Sequence, residues 1–81
     1  MFFSYIPKGV CSRKIDIELE DNKIKSVRFT GGCNGNLQGI SKLVEGMSVD
    51  EAIKKLSGIN CNNRSTSCPD QLAQALKEAI K

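Results

Sequence analysis

Four cysteines are the residues of this sequence best suited to chemistry: Cys11, Cys33, Cys61 and Cys68. The chain contains no histidine, which excludes Ser-His and Cys-His catalytic pairs and every zinc site that uses an imidazole ligand. Thiolates are soft ligands that select zinc, iron and iron–sulfur clusters over magnesium or calcium. The residue types therefore favour one metal centre built from sulfur, with all four cysteines as ligands.

The spacing of the cysteines does not follow a local metal-binding motif. Successive cysteines are separated by 21, 27 and 6 residues, whereas zinc ribbons and thioredoxin-type sites use Cys-x-x-Cys units. A shared site must therefore be assembled by the fold. Two alternatives stay open: Cys11 and Cys33 are small buried hydrophobic residues, or Cys61 and Cys68 cycle between dithiol and disulfide.

The segment from Asn60 to Gln71 carries no aliphatic or aromatic side chain. Fixing a backbone costs about 1–2 kcal/mol per residue, and a structural zinc ion contributes about 10 kcal/mol or more of folding free energy. Metal ligation is therefore expected to order this segment. The alternative is a loop held by hydrogen bonds of its Asn and Ser side chains.

The first half of the chain predicts an antiparallel sheet. Apolar and charged residues alternate over 14–20, as in a strand with one buried and one solvated face. Asp21-Asn22 is the predicted turn, and the return strand covers 24–30. Ile24 is out of phase there, which indicates a bulge or a three-residue loop. A short further strand is expected at residues 2–6.

The second half of the chain predicts three helices. The first ends at Gly46, the second begins with a capping box of Ser48 and Glu51 and ends at Gly58, and the third opens at Pro69. The fold class is thus α+β, a small antiparallel sheet of about three strands followed by three helices packed on one face, in a single domain over 1–81. The predicted buried stripes are Leu37, Ile40, Leu43 and Val44; Val49, Ala52, Ile53 and Leu56; and Leu72, Ala73, Leu76, Ala79 and Ile80.

Composition and charge exclude several classes of function. With 40% apolar and 26% charged residues among 81, the chain is expected to fold as a globular domain, too small for an enzyme barrel. The net charge of +3 is scattered and aromatic residues are few, which argues against nucleic-acid binding. No apolar run approaches the roughly 20 residues of a membrane span, and the start lacks the features of a signal peptide. A cytoplasmic location is expected.

A phosphate-binding loop is a weak alternative. Gly31, Gly32 and Gly35 lie between a predicted strand and a predicted helix, where free amides bind anions. The sequence has neither Gly-Lys-Ser/Thr nor a complete Gly-x-Gly-x-x-Gly. Nucleotide binding is therefore poorly supported, because the turn into the helix explains these glycines equally well.

Three segments of the chain resemble the TSCPD domain family: GCNGNL at 32–37, LSGINC at 56–61 and TSCPDQLA at 66–73. The family takes its name from the five residues at 66–70, and the likeness spans nearly the whole chain. It comprises small four-cysteine proteins and a C-terminal domain of adenosylcobalamin-dependent ribonucleotide reductases. The resemblance thus implies a link to ribonucleoside-diphosphate reductase and DNA precursor synthesis, although the catalytic barrel of such a reductase has no room here.

The order of cysteines and predicted elements along the chain also resembles that of U-type iron–sulfur cluster scaffolds. A cysteine before a hairpin, a Gly-Cys-x-Gly turn and a cysteine opening the last helix would place Cys11, Cys33 and Cys68 at the scaffold's three ligand positions. Arg13 and Ser67 depart from that family, which carries an acidic residue and a histidine there.

These observations together predict a small cytoplasmic metal-binding module that is not an enzyme alone. The predicted centre holds zinc or iron, with an iron–sulfur cluster as a variant. Its expected partner is a ribonucleotide reductase or another protein. The alternatives are a dithiol accessory that re-reduces a partner reductase and a scaffold-like protein for iron–sulfur clusters.

Overall fold

The computed structural model describes residues 1–10, 12–32, 34–60 and 66–81. A three-stranded antiparallel sheet, in the order β1-β2-β3, precedes three helices, which confirms the predicted α+β class. The elements are β1 (Phe2–Tyr5), β2 (Ser12–Glu20), β3 (Lys23–Gly31), α1 (Asn34–Val44), α2 (Val49–Leu56) and α3 (Cys68–Ala79).

The hairpin between β2 and β3 has the predicted turn and bulge. Asp21 and Asn22 adopt positive φ angles of 53° and 63°, the conformation that two-residue hairpin turns require and that Asp and Asn tolerate. Leu19 pairs with Ile24, but the residue before Leu19 pairs with Ser26, so Lys25 is the additional residue. The bulge turns Ile24 into the core, where it is fully buried.

The core lies between the sheet and the helices. Ile15 and Ile17 project from one face of β2 and are fully buried, as are Leu72 and Leu76 of α3. Helix α1 packs mainly against β3, and α2 packs against α3, which crosses β1 and β2. The other buried hydrophobic residues described are Leu19, Ile24, Val27, Leu37, Val44, Val49, Ala52, Ala73 and Ala75.

Two members of the predicted buried stripes are wrong. Leu43 is 76% exposed and Ile80 is 47% exposed. Helix α1 faces the sheet through Leu37, Ser41 and Val44, a narrow i, i+4, i+7 stripe, and Leu43 lies about 100° around the helix axis from Val44. Ile80 follows the last residue of α3, where the helical spacing no longer directs it to the core.

The predicted boundaries of α2 are confirmed. Ser48 caps its start by accepting a hydrogen bond from the Glu51 amide at 3.1 Å, and the Glu51 carboxylate lies 3.6 Å from Lys55. Gly46 and Gly58 have φ angles of +84° and +83°, which ends α1 and α2 as expected. No helix in the described segments is long and apolar enough to cross a membrane.

Candidate metal centre

Cys68 is the predicted ligand that lies within the described residues. It is the first residue of α3, as expected, and its free thiol is partly exposed. Cys11, Cys33 and Cys61 lie outside the described residues, so their assignment as ligands stays a prediction. The site must therefore be assessed from Cys68 and from the described residues next to the other three cysteines.

A contact between β2 and α3 brings the neighbour of Cys11 to Cys68. The Ser12 hydroxyl lies 3.4 Å from the Cys68 sulfur, and Ser12 is only 3% exposed. Across the sheet Ser12 pairs with Gly31, which stands two residues before Cys33. The residue after Cys11 thus contacts Cys68 directly, and Gly31 is linked to Cys68 through its pairing with Ser12.

Ser67 connects the neighbourhood of Cys61 to the same place. Its hydroxyl caps α3 by accepting from the Asp70 amide at 3.2 Å, and it donates to the Ile59 carbonyl at 2.5 Å. Ile59 stands two residues before Cys61, and Ser67 directly precedes Cys68. The Ser67 side chain therefore links the residue two positions before Cys61 to the residue before Cys68.

Asp70, in the first turn of α3, is hydrogen-bonded to two residues that precede the helix. Its carboxylate accepts from the Gly58 amide at 2.7 Å and from the Thr66 hydroxyl at 2.5 Å, and the residue is 7% exposed. The hydrogen bond from Thr66, then that from Gly58, and the charge of Lys77 hold the pKa of this carboxyl below its ordinary value, against the opposing effect of burial. The folded state therefore favours the ionised form of Asp70.

Gln71 ties the β1–β2 connection to the start of α3. Its amide nitrogen donates to the Thr66 hydroxyl at 3.0 Å, and its amide oxygen accepts from the Lys8 backbone at 3.0 Å. Gly9, at φ +71°, approaches Thr66 so closely that a Cβ there would lie 3.4 Å from the threonine methyl. We refer to Thr66, Ser67, Asp70 and Gln71 as the polar cluster.

The polar cluster alters the expectation for residues 60–71. Its hydrogen bonds hold the described stretch of that segment at 66–71. This favours the hydrogen-bonded alternative there, while residues 61–65 lie outside the described residues. The sequence did carry a signal, since Ser67 and Asp70 have the spacing of a helix cap with an acidic third residue. The tethers to Gly58, Ile59 and Lys8 are long-range and had no local signal.

A groove of about 530 Å³ runs between β3 and α1, near the predicted site. Gly31 and Gly32, the two residues before Cys33, line it together with Arg28 and Lys42. Among residues 1–10, 12–32, 34–60 and 66–81, no three Cys, Asp or Glu side chains form a group that could hold a metal ion. Nucleotide and metal binding both stay predictions.

The fold and the start of α3 define a small α+β domain whose third helix begins at a cysteine that contacts Ser12, with the polar cluster fixing the first helical turn. A model of the TSCPD domain family matches residues 2–80, and the chain belongs to that family. The motif TSCPD is the start of α3: Thr66, Ser67 and Asp70 position the helix terminus, and Pro69 sits in its first turn. No curated protein and no solved structure gave a significant match.

Proposed function

We propose that the chain is a metal-binding module in which Cys11, Cys33, Cys61 and Cys68 hold one zinc or iron ion as a tetrathiolate. The observation that supports this most is a series of contacts that links three chain segments, directly or through Ser12, to the start of α3. Ser12 contacts Cys68, Gly31 pairs with Ser12, and Ile59 is bonded to Ser67. Each of these segments continues into a cysteine within two residues.

The short separations along the chain make a shared site feasible. Consecutive Cα atoms are about 3.8 Å apart, so the short chain length between these contacts and each of the other three cysteines permits a site shared with Cys68. A tetrahedral zinc site with four thiolates requires Zn–S bonds of about 2.3 Å. Partial exposure of Cys68 fits a ligand at the surface end of the sheet, outside the apolar core.

The module would serve as an accessory domain. A closed tetrathiolate leaves no open coordination position, which suits a structural role better than catalysis. Membership of the TSCPD family supports a ribonucleotide reductase as the partner class. In that role the metal stabilises the domain, and the partner enzyme carries out the chemistry in the cytoplasm.

A dithiol function is the second candidate. The Ser67 hydroxyl donates a hydrogen bond to the Ile59 carbonyl at 2.5 Å. Ile59 precedes Cys61 by two residues and Ser67 precedes Cys68 by one, so this bond links the chain on either side of the 60–66 segment. A redox pair needs one accessible, reactive thiolate and a resolving thiol nearby. In that case Cys68, which is partly exposed, would be the attacking group and Cys61 its resolving partner.

Metal content and absorption of protein purified with and without oxygen separate the candidates. We expect stoichiometric zinc in a colourless sample or iron in a coloured one, and a metal-free disulfide would support the dithiol function. The absorption spectrum of an iron–sulfur cluster, together with transfer of that cluster to an acceptor protein, would indicate the scaffold alternative. In the metal-loaded protein all four thiols should resist alkylation until a chelator is added, whereas rapid labelling of Cys68 alone would contradict a closed site.

Removal of the metal should also lower stability. Cys68→Ser and chelation of the wild type are each expected to reduce the melting temperature, and chelator should add nothing to the variant. The control is Lys25→Ser, because Lys25 is exposed and its ion pairs with Glu18 and Glu20 lie at the surface, where such pairs contribute little. Equal melting temperatures with and without chelator, in a sample shown to contain metal, would refute a structural metal.

A further inference from the structure

We propose that Ser12 is a positioning residue of the metal centre, whose hydroxyl donates a hydrogen bond to the sulfur of metal-bound Cys68. The inference rests on the proposed function. It starts from one contact, the 3.4 Å separation of the Ser12 oxygen and the Cys68 sulfur. The residues at this contact come from two elements, the start of β2 and the start of α3.

Burial of Ser12 indicates which state of Cys68 the contact suits. The residue is 3% exposed, and a buried hydroxyl without an adequate partner destabilises a fold. A neutral thiol is a weak donor and a weak acceptor. A metal-bound thiolate keeps negative charge and lone pairs on sulfur, so it accepts a stronger, charge-assisted hydrogen bond. The Ser12 hydroxyl therefore has its best partner when Cys68 ligates a metal.

Both sides of the contact are fixed by other interactions. Ser12 pairs with Gly31 in the sheet, and Cys68 sits between the Ser67 cap and Pro69 in the first helical turn. A hydrogen bond between two fixed groups restricts the direction in which the sulfur lone pairs point. Groups that bond to metal ligands in this way orient them, and their loss typically weakens metal binding by about 10- to 100-fold.

The hydrogen bond would also lower the electron density on sulfur. A thiolate that accepts a hydrogen bond donates less strongly to the metal and reacts less readily with electrophiles, so the expected gain in affinity comes from the orientation of the sulfur and exceeds this loss. In cobalt-substituted protein, loss of the bond should therefore shift the sulfur-to-cobalt charge-transfer band to lower energy. This spectroscopic effect distinguishes a bond to the ligand sulfur from a general loss of packing.

The test compares side chains of equal shape at position 12. Ser12→Thr keeps a hydroxyl and Ser12→Val replaces it by a methyl, so this pair differs only in the donor group. Ser12→Ala removes the hydroxyl without adding volume. Ser41→Ala is the matched control, because Ser41 is also buried and its hydroxyl donates to the Leu37 carbonyl within α1 at 2.8 Å, a bond that involves no cysteine.

Zinc affinity by chelator competition and the cobalt spectrum are measured for every variant. We expect Ser12→Ala and Ser12→Val to bind zinc about 10-fold more weakly than Ser12→Thr and to show the band shift, while Ser41→Ala matches the wild type. Equal affinities and spectra for Ser12→Thr and Ser12→Val would overturn the role of the hydroxyl and leave the metal centre standing. A wild type that binds neither zinc nor cobalt would overturn the proposed function and this inference together.

Discussion

Helix α3 is held at its start and along its body by different physical means. Toward its middle, Leu72 and Leu76 are fully buried against the sheet, and burial of apolar area stabilises them without directional requirements. At its start, the polar cluster makes hydrogen bonds to Gly58, Ile59 and Lys8, each of which needs a defined distance and angle. The core therefore supplies stability, and the polar cluster supplies the position of Cys68.

The largest expected effect comes from the core. Leu76→Ala should lower the free energy of unfolding by about 2–5 kcal/mol, because it removes buried methyl groups and leaves a cavity. A small domain has only about 5–15 kcal/mol in total, so the variant should be close to unfolding. Urea denaturation of wild type and variant, purified in the same way, measures the change. A loss below about 1 kcal/mol would contradict the stabilising role of the core, because α3 would then be stabilised mainly by the polar cluster at its start.

Asp70→Asn tests the polar cluster with a smaller expected loss, about 1–3 kcal/mol. An amide of the same size can still accept from Gly58, but its nitrogen donor would face the Thr66 hydroxyl, which already accepts from Gln71. Asp50→Asn is the control, since Asp50 is exposed in the first turn of α2. Equal losses for the two variants would show that the hydrogen bonds of Asp70 contribute nothing particular.

The same variant has a defined dependence on pH. Because the pKa of Asp70 is lowered in the folded state from its ordinary value of 3.8, the stabilisation by its ionised form is fully present above that value. It is lost as the pH falls through the folded-state pKa. The difference in unfolding free energy between wild type and Asp70→Asn should thus be constant above about pH 5 and shrink toward lower pH. A difference that grows on acidification would contradict the direction of the shift.

Two serine caps, Ser48 of α2 and Ser67 of α3, give a finer comparison. Ser48→Ala removes one hydrogen bond at the start of α2 and should cost about 1 kcal/mol. Ser67→Ala removes a cap bond and also the bond to the Ile59 carbonyl, at a site only 5% exposed. The second loss should exceed the first by about 0.5–1.5 kcal/mol. Equal melting temperatures of the two variants would mean that the hydrogen bond between Ser67 and the Ile59 carbonyl contributes no stability.

The parts of the fold that local patterns control could be predicted. Period-two alternation gave β2, the Asp21-Asn22 turn and the out-of-phase Ile24 gave the bulged hairpin, and caps at Ser48 and Gly58 bounded α2. Tertiary hydrogen bonds could not be predicted, because Asp70 meets Gly58 across 12 residues and Gln71 meets Lys8 across 63. For the candidate site, the residue type of Cys68 and its place at a helix start were predictable. Its contact with Ser12 was not.

Helical periodicity also could not predict how many residues of an apolar stripe are buried. Leu37, Leu43 and Val44 all fit helical spacing, yet the sheet covers only the face that Leu37 and Val44 share. Helix α1 packs mainly on β3, an edge strand, so its contact is narrow. Periodicity shows which residues share a side of a helix, and the width of the partner surface decides how many of them are buried.

The smallest effect is expected on that outer side of α1. Leu43→Gln should change the free energy of unfolding by less than about 0.5 kcal/mol, because Leu43 is 76% exposed and Leu and Gln have similar helix propensities. The same substitution at Leu37, which is 4% exposed on the same helix, should be strongly destabilising since it buries an amide in the apolar contact with β3. The two variants differ only in position, so chemical denaturation of both isolates burial from propensity. A clear destabilisation by Leu43→Gln would place Leu43 in an apolar contact after all, and α1 would then have a wider buried face than β3 alone provides.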